Sequence, residues 1–281
     1  MGNLALIPSR NRKIYLAFFI SIIFALSCLY LEIDLLEMIL GFPTFVSFFI
    51  HKFIPPDFSN IAQYAPAVGE TILFAVVGTY ISPFFSLLCG MLMSEMTNPY
   101  KPLRMLVRAF ISFLRNIPVL IWASLLVYAF GVGEIVGLLA LIIATLGFLS
   151  RSYCDSLNEI PNSKLEALKA SGASDLQILW HGLLPCFVPS LINWTLYSFE
   201  INIRASTILG MVGAGGIGVL IQTNIKLFKY HEACAIIIIV VTIVLLTEFI
   251  TNKIRLLVHQ GESLDILRTT KKGTGLRYFI S

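Results

Sequence analysis

Residues 71–94 read TILFAVVGTYISPFFSLLCGMLMS and contain no Asp, Glu, Lys or Arg. An α-helix rises about 1.5 Å per residue, so roughly 20 apolar residues cross the hydrocarbon layer of a membrane, which is about 30 Å thick. A stretch of this length and composition therefore predicts a membrane-spanning helix.

Other uncharged runs of similar length lie at 14–31, 116–133, 135–150, 182–199 and 233–247. The chain of 281 residues is 57% hydrophobic and only 13% charged, a composition that a water-soluble core does not accommodate. We therefore expect an all-α integral membrane protein with about six transmembrane helices, surrounded by lipid.

A further uncharged run, 205–225, differs from the others because it is rich in glycine. Its glycines are Gly210, Gly213, Gly215, Gly216 and Gly218. Each glycine costs a helix interior about 1 kcal/mol relative to alanine. Irregular backbone at membrane depth persists only where it is buried in protein or lines a polar cavity. The run is therefore predicted to be a broken or re-entrant segment.

Lys and Arg are distributed unevenly between the connections. If the N-terminus is cytoplasmic, the cations that fall outside are only Lys52, Arg204, Lys226 and Lys229. Cytoplasmic connections near membrane spans collect positive charge. The pattern predicts a multi-pass protein of the cytoplasmic membrane with both termini in the cytoplasm. The net charge of +4 then reflects topology and gives no support for a nucleic-acid partner.

Three parts are predicted along the chain. Residues 1–64 hold a cytoplasmic segment, the first transmembrane helix and an extracytoplasmic or interfacial loop; residues 65–255 hold the membrane core; residues 256–281 form a cytoplasmic tail. The first apolar run is longer than the core of a cleaved signal, so we expect it to remain as a helix. The apolar stretch 38–50 is too short to span and is expected in the interface.

Residues 161–185, PNSKLEALKASGASDLQILWHGLLP, carry two helix-start patterns. Ser163 with Glu166 and Ser174 with Gln177 each fit a capping box. Gly172 between them can adopt the left-handed conformation that ends the first helix, and Pro185 is expected to end the second. The sequence predicts helix, tight turn and helix between two membrane spans.

Two functions fit such a two-helix unit. A DNA-reading helix-turn-helix needs basic side chains on its second helix, and this helix offers Asp175, Gln177 and His181 instead. The alternative is a docking helix for a cytoplasmic partner, where small residues such as Ala167 permit close approach. The composition of the second helix favours the docking interpretation.

The same stretch resembles the EAA loop of ABC importer permeases, whose pattern is EAA, three residues, G, nine residues and I-x-LP. The residues that match are Glu166, Ala167, Gly172, Leu184 and Pro185. The resemblance implies that these residues couple the chain to an ATPase. Leu168 replaces the second alanine of the pattern, and Gly182 replaces its isoleucine. Residues 70–79, ETILFAVVGT, also resemble the opening of the first core helix in type I permeases.

Residues 197–210, YSFEINIRASTILG, followed by VGAGGIG at 212–218, resemble the permease of phosphonate importers. The resemblance implies a type I ABC importer permease fold with 65–255 as its core. It also implies a homodimer of two permease chains, two ATP-binding cassette subunits and an extracytoplasmic substrate-binding protein. The implied cargo is a small phosphorus oxyanion, such as phosphonate, phosphite or a phosphate ester.

Glu200 and Arg204 stand four residues apart on one helix face, just before the glycines. Ionisable residues in a span mark either a route or a paired structural site. One interpretation is a polar gate in which Arg204 and glycine N–H groups meet an anion. The other is an ion pair that only holds the helix end. The residues assigned to this gate are Glu200, Asn202, Arg204, Ser206, Thr207, Gly213, Gly215, Gly216 and Gly218.

Several other functions are disfavoured by the sequence. Gly213, Gly215 and Gly218 fit G-x-G-x-x-G, but the βαβ unit that a dinucleotide site needs is not predicted. The chain has no G-x-x-x-x-G-K-[ST] loop, so ATP hydrolysis is expected in a partner, with no cofactor, metal or catalytic residue in this chain. The alternatives that stay open are a secondary transporter or channel, or an ABC permease for another small solute such as an amino acid.

Overall fold

The computed structural model describes residues 10–275, without the side chains of residues 10–12, 35, 162, 164 and 259–275. The described residues form α-helices joined by short connections. The helices are α1 (Arg10–Tyr30), α2 (Leu35–Phe53), α3 (Ile61–Met93), α4 (Lys101–Asn116), α5 (Val119–Phe130), α6 (Glu134–Asn158), α7 (Asn162–Ala170), α8 (Asp175–Ile178), α9 (Leu184–Gly210), α10 (Ile217–Lys226) and α11 (Tyr230–Gly275). One π-helical turn, Leu179–Leu183, joins α8 to α9.

The chain forms two compact units, residues 1–54 and residues 55–281. In the first unit, Asp34 caps α2 by accepting hydrogen bonds from the N–H groups of Leu36 (2.9 Å) and Glu37 (3.1 Å). The helix that contains the stretch 38–50 is longer than the sequence predicts, because α2 has 19 residues; its place in the interface stays a prediction. Its length and composition are sufficient for a membrane crossing, as are those of α1, α3, α6, α9 with the preceding turns, and α11.

Small residues bring the helices of the second unit into close contact. A Cβ added to Gly78 of α3 would lie 2.9 Å from Cδ2 of Leu141 of α6. Farther along the same pair of helices, a Cβ on Gly90 would lie 3.0 Å from Cβ of Tyr153. Close backbone approach through small residues is the usual way in which membrane helices gain packing energy. α9 packs against both α3 and α6 and completes a central group of three helices.

The run 116–133 does not form the continuous spanning helix that its composition predicts. α4 and α5 meet at Pro118 with a bend of 87°, and α5 has only 12 residues. Proline lacks the N–H group that would continue the helix, and it restrains the preceding residue. Trp122 Nε1 donates a hydrogen bond across the bend to the carbonyl oxygen of Leu114 (3.3 Å).

Two predicted boundaries fall inside helices. α3 begins at Ile61, before the boundary at residue 65, and α11 continues past residue 255 as far as Gly275. In the predicted tail, 256–281, the side chains from residue 259 onward and the backbone from residue 276 onward lie outside the described residues.

Candidate functional site

α7 and α8 form the two-helix unit that the sequence predicts, with a tight turn at Gly172. The φ angle of Gly172 is +81°, in the left-handed region that glycine adopts without strain. Ser174 N–H donates to Oε1 of Gln177 (2.8 Å), and the Gln177 N–H donates to Oγ of Ser174 (3.4 Å). This capping box and the left-handed glycine confirm two of the local predictions.

The other two local predictions about this unit are wrong. α7 starts at Asn162 with Pro161 as its N-cap and without a side-chain cap, so Ser163 lies inside the helix. Pro185 does not end the second helix, because the chain continues through it into α9. The π-helical turn just before it widens the backbone where proline has no N–H to donate, so the missing hydrogen bond does not break the helix.

The residues that match the EAA pattern lie at the surface of this unit. Glu166 and Ala167 are exposed, whereas Leu165 beside them is buried in a cluster with Ile178 and Leu183. α7 therefore packs through one face and leaves Glu166 and Ala167 accessible to a partner. Leu184 is half-buried in the same cluster, and Pro185 is exposed.

Glu200 pairs with a different arginine from the one predicted. Its Oε1 lies 2.7 Å from Nη2 of Arg255 on α11, and it also accepts a hydrogen bond from the Thr251 hydroxyl. Glu200 is 9% exposed and the side chain of Arg255 is 22% exposed. The second of the two interpretations, an ion pair between Glu200 and Arg204, is therefore wrong. Glu200 fastens α9 to α11 instead.

Arg204 lies on the exposed side of α9, as do Tyr197 and Ile208. Within the described part of the chain it forms no ion pair. The neighbouring Asn202 fixes the depth of this position, because its Oδ1 accepts a hydrogen bond from Thr145 (2.8 Å) near the middle of α6. Arg204 is thus an exposed cation within α9, level with the middle of a candidate span, and its predicted place in an outside connection is wrong.

The polar neighbours of Arg204 bind other helices or their own. Asn202 Nδ2 donates to Oγ1 of Thr79 (2.9 Å), which links α9 to α3. Ser206 donates to the carbonyl oxygens of Thr71 (3.2 Å) and Ile203 (2.9 Å), and Thr207 donates to that of Ile203 (3.2 Å). Asn202 and Ser206 therefore link α9 to α6 and α3, whereas Thr207 forms a hydrogen bond within α9.

The glycine-rich run is broken, as predicted, but the break is confined to the turn between α9 and α10. Gly213, Gly215 and Gly216 have φ angles of +92°, +86° and +74°. Gly218 lies in α10, where an added Cβ would overlap the carbonyl oxygen of Thr207. Glycine is therefore needed for the left-handed turn at three positions and for close helix contact at the fourth.

Side chains of α3 occupy amide donors that the sequence assigned to an anion. Gly216 N–H donates to Oε2 of Glu70 (3.2 Å), and Ile217 N–H donates to Oγ1 of Thr71 (2.8 Å). An added Cβ on Gly215 would also lie 3.0 Å from Cγ of Glu134. The expectation that glycine N–H groups meet an anion is wrong for Gly216, because its amide donates to Glu70. The next amide, that of Ile217, donates to Thr71, so both side chains cap the start of α10.

Sequence reasoning missed the partners Thr251 and Arg255. These two residues are four positions apart, shortly after the last apolar run 233–247, and so lie on one helix face. A hydroxyl and a cation on the same face were a signal of a buried acidic partner. Glu70 and Thr71 were noticed only as part of a motif. Their position at the start of the uncharged run 71–94, with Glu70 just before it and Thr71 as its first residue, was the signal that they lie near other helix termini.

Comparison with known proteins finds a family and several relatives. The family model described as "Binding-protein-dependent transport system inner membrane component" matches residues 86–261. The phosphite transport system permease protein PtxC of Stutzerimonas stutzeri is 30% identical over 231 residues, which cover 82% of this chain and 84% of PtxC. The phosphate-import permease protein PhnE of Mycolicibacterium smegmatis is 35% identical over 205 residues, covering 73% of this chain and 38% of PhnE.

A solved structure with the same fold is an inward-facing form of the MetNI methionine ABC transporter. It superposes with a TM-score of 0.64 at 24% identity, over 70% of this chain and 97% of that one. The predicted type I ABC importer permease fold is therefore confirmed.

Proposed function

This chain belongs to the family of binding-protein-dependent transport system inner membrane components, and from that premise we propose that it carries a small phosphorus oxyanion across the membrane. It is the multi-pass membrane permease subunit of an ATP-driven ABC importer. The alternative of a secondary transporter or channel is wrong, because the family is that of binding-protein-dependent importers.

Two observations support the cargo. The relatives PtxC and PhnE are named for phosphite and phosphate import and align with most of this chain. Arg204 provides an exposed cation level with the middle of α6, and a guanidinium can donate two parallel hydrogen bonds to an oxyanion. This second observation carries the proposal, because an exposed arginine at that depth is costly in lipid and is favourable in a polar route.

The proposed assembly holds two copies of the chain, two ATP-binding cassette subunits and an extracytoplasmic substrate-binding protein. ATP hydrolysis belongs to the partner subunits, and this chain is non-catalytic. Glu166, Ala167 and Gly172 dock on the partner, with Leu184 and Pro185 leading into α9. The exposure of Glu166 and Ala167 beside a packed helix face supports this role.

Uptake by the complete transporter tests the cargo. Proteoliposomes with the wild-type chain should accumulate labelled phosphite or methylphosphonate and should not accumulate labelled methionine. Arg204→Gln should reduce uptake about tenfold, a loss expected for one charge-assisted contact, and Arg204→Lys should recover only part of it, because lysine lacks the planar fork. Accumulation of methionine alone would show that the cargo is an amino acid.

A further inference from the structure

Three arginines lie on one face of α4. Arg104, Arg108 and Arg115 are separated by four and seven residues, so a helix of 3.6 residues per turn places them within about 40° of each other. Arg104 is held by Glu95, with 3.4 Å between Nη2 and Oε1, and it donates from Nη1 to the carbonyl oxygen of Asn98 (3.0 Å). Arg104 therefore has an acidic partner within the protein. Arg108 and Arg115 form no ion pair among the described residues.

Arg115 lies at the depth of the middle of α6. A Cβ added to Gly147 of α6 would lie 2.9 Å from the backbone nitrogen of Arg115 and 3.1 Å from its Cα. Gly147 stands close to the midpoint of α6 and two residues after Thr145, the partner of Asn202. Arg115 is exposed, and within residues 10–275 it forms no ion pair. An unpaired arginine at this depth is strongly disfavoured in lipid and is expected to face water.

Arg108 borders a cavity of about 460 Å³ at the end of α6. Its Nη2 donates to the carbonyl oxygen of Met93 (3.2 Å), while its buried Nε has no hydrogen-bond partner among the described residues. Arg151 also lines this cavity and pairs with Asp155, with 2.8 Å between Nε and Oδ2. Besides Arg108 and Arg151, the lining residues are Glu95, Met96, Asp155 and Asn158. The cavity is therefore lined by two guanidinium groups, Arg108 and Arg151, and by two carboxylates, Glu95 and Asp155.

A second, smaller crevice has a volume of about 80 Å³, and its lining residues are close in sequence to Arg115 and Arg204. It is lined by Val119, the first residue of α5 after the bend at Pro118, and by Ile201 and Ala205 on α9, on either side of Arg204 in the sequence. Its α6 wall includes Ala144 and Phe148. Arg151 and Asp155 lie on the same face of α6, on the next turns of the helix, and line the larger cavity. One face of α6 thus runs from the crevice at mid-depth to the cavity at the helix end.

We propose that Arg115, Arg108 and Arg151 form a row of anion contacts along the α4 and α6 face, through which the cargo oxyanion passes from the level of Arg204 to the end of α6. This row rests on the proposed function, which supplies the anion. The exposed guanidinium group of Arg115 and the half-buried groups of Arg108 and Arg151 would bind an anion weakly and one after another, which suits passage better than one closed site. Asp155 and Glu95 partly neutralise the last contacts, and this favours release.

The first test uses the complete transporter in proteoliposomes with labelled phosphite. Arg115→Gln should lower uptake about tenfold, as for one lost contact to a charged group, while ATPase activity stimulated by the binding protein should stay within about twofold of wild type. Lys253→Gln is the matched control, since Lys253 is an exposed cation on α11 outside the row, and its uptake should match wild type. Unchanged uptake in Arg115→Gln would overturn the proposal.

A second measurement does not depend on the cargo or on the activity of the variant. Arg115→Cys is placed in a chain whose native cysteines, Cys28, Cys89, Cys154, Cys186 and Cys234, are replaced by alanine. In inside-out vesicles, an anionic methanethiosulfonate should modify the introduced thiol faster than a cationic one, because Arg108 and Arg151 attract the anion. No modification from the cytoplasmic side, or faster modification by the cation, would contradict the row. If wild-type transporter moves neither phosphite nor methylphosphonate while the introduced thiol shows the anionic preference, the proposed cargo fails and the row stands.

Discussion

Leu168 of α7 and Gly182 of the π-helical turn after α8 lie in contact with each other. A Cβ added to Gly182 would lie 2.7 Å from Cδ1 of Leu168. These two positions are also the two departures from the EAA pattern, which has alanine at the first and isoleucine at the second. Compared with the pattern, the residue on α7 is larger, leucine instead of alanine, and the residue on the π-helical turn is smaller, glycine instead of isoleucine. The two changes compensate in volume, and α7 stays in contact with the turn.

This exchange predicts that Gly182→Ile is harmful alone and tolerated with Leu168→Ala. Gly182→Ile should destabilise the transporter by about 1–3 kcal/mol, the usual cost of overpacking. The double variant restores the pattern's own pair and should recover most of that loss. Thermal unfolding of the purified transporter and its ATPase activity check both variants. A double variant as unstable as Gly182→Ile would show that the two residues do not compensate each other.

The Glu200 and Arg255 pair predicts an asymmetric response to neutralisation. Arg255→Gln leaves a buried carboxylate without its cation and should destabilise the chain by about 3–5 kcal/mol. Glu200→Gln with Arg255→Gln removes both charges and should be less destabilising than Arg255→Gln alone. Thermal unfolding in detergent measures the difference. Arg204→Gln is the control and should leave stability within about 0.5 kcal/mol of wild type, as for other surface changes.

The cap on α10 predicts that Thr71→Val destabilises the glycine turn and Thr71→Ser does not. Valine keeps the shape but loses the acceptor for Ile217 N–H, at a cost of about 1 kcal/mol for a helix cap. Thr71 also donates to the carbonyl oxygen of Ala67 (2.8 Å), so Thr247→Val is the control, since Thr247 loses only an equivalent bond to Ile243 (2.8 Å). Hydrogen exchange at α10 amides should increase in Thr71→Val alone. Equal exchange in Thr71→Val and Thr247→Val would exclude the cap.

The proposed docking of α7 on a partner subunit predicts that two variants lose transport for different reasons. Gly172→Val places a β-branched residue at a φ of +81°, so it should distort the turn and lower stability. Ala167→Trp adds bulk at an exposed position and should leave stability unchanged while blocking the partner. Both variants should insert into the membrane and lose uptake. Uptake and ATPase stimulation at wild-type levels in both would show that another surface couples the chain.

The charge distribution predicts the sidedness of two connections. Reporter fusions after Ser59 and after Ser263 should lie outside and inside the cytoplasm, respectively, because most Lys and Arg fall on the side of the C-terminus. Two fusions on the same side would contradict an arrangement with both termini in the cytoplasm.

The sequence by itself determined the features that depend on neighbours along the chain. Uncharged runs predicted the apolar helices, the glycines predicted the break after α9, and the left-handed Gly172 and the Ser174 box were predicted with the correct residues. These features follow from apolar length, backbone sterics and hydrogen bonds within a few residues. The effect of proline was less predictable from the sequence. At Pro118 the helix bends by 87°, whereas at Pro185 the helix continues after a π-helical turn.

Only the tertiary structure decided which polar groups meet. Glu200 binds Arg255, 55 residues away, and not Arg204, which is one turn away on its own helix. Glu70 and Thr71 reach Gly216 and Ile217 across 146 residues each. A helix face tells which residues point the same way, but the partner on the facing helix depends on helix order and rotation. Close packing through glycines sets that order and rotation, and the sequence pattern of a single helix does not contain them.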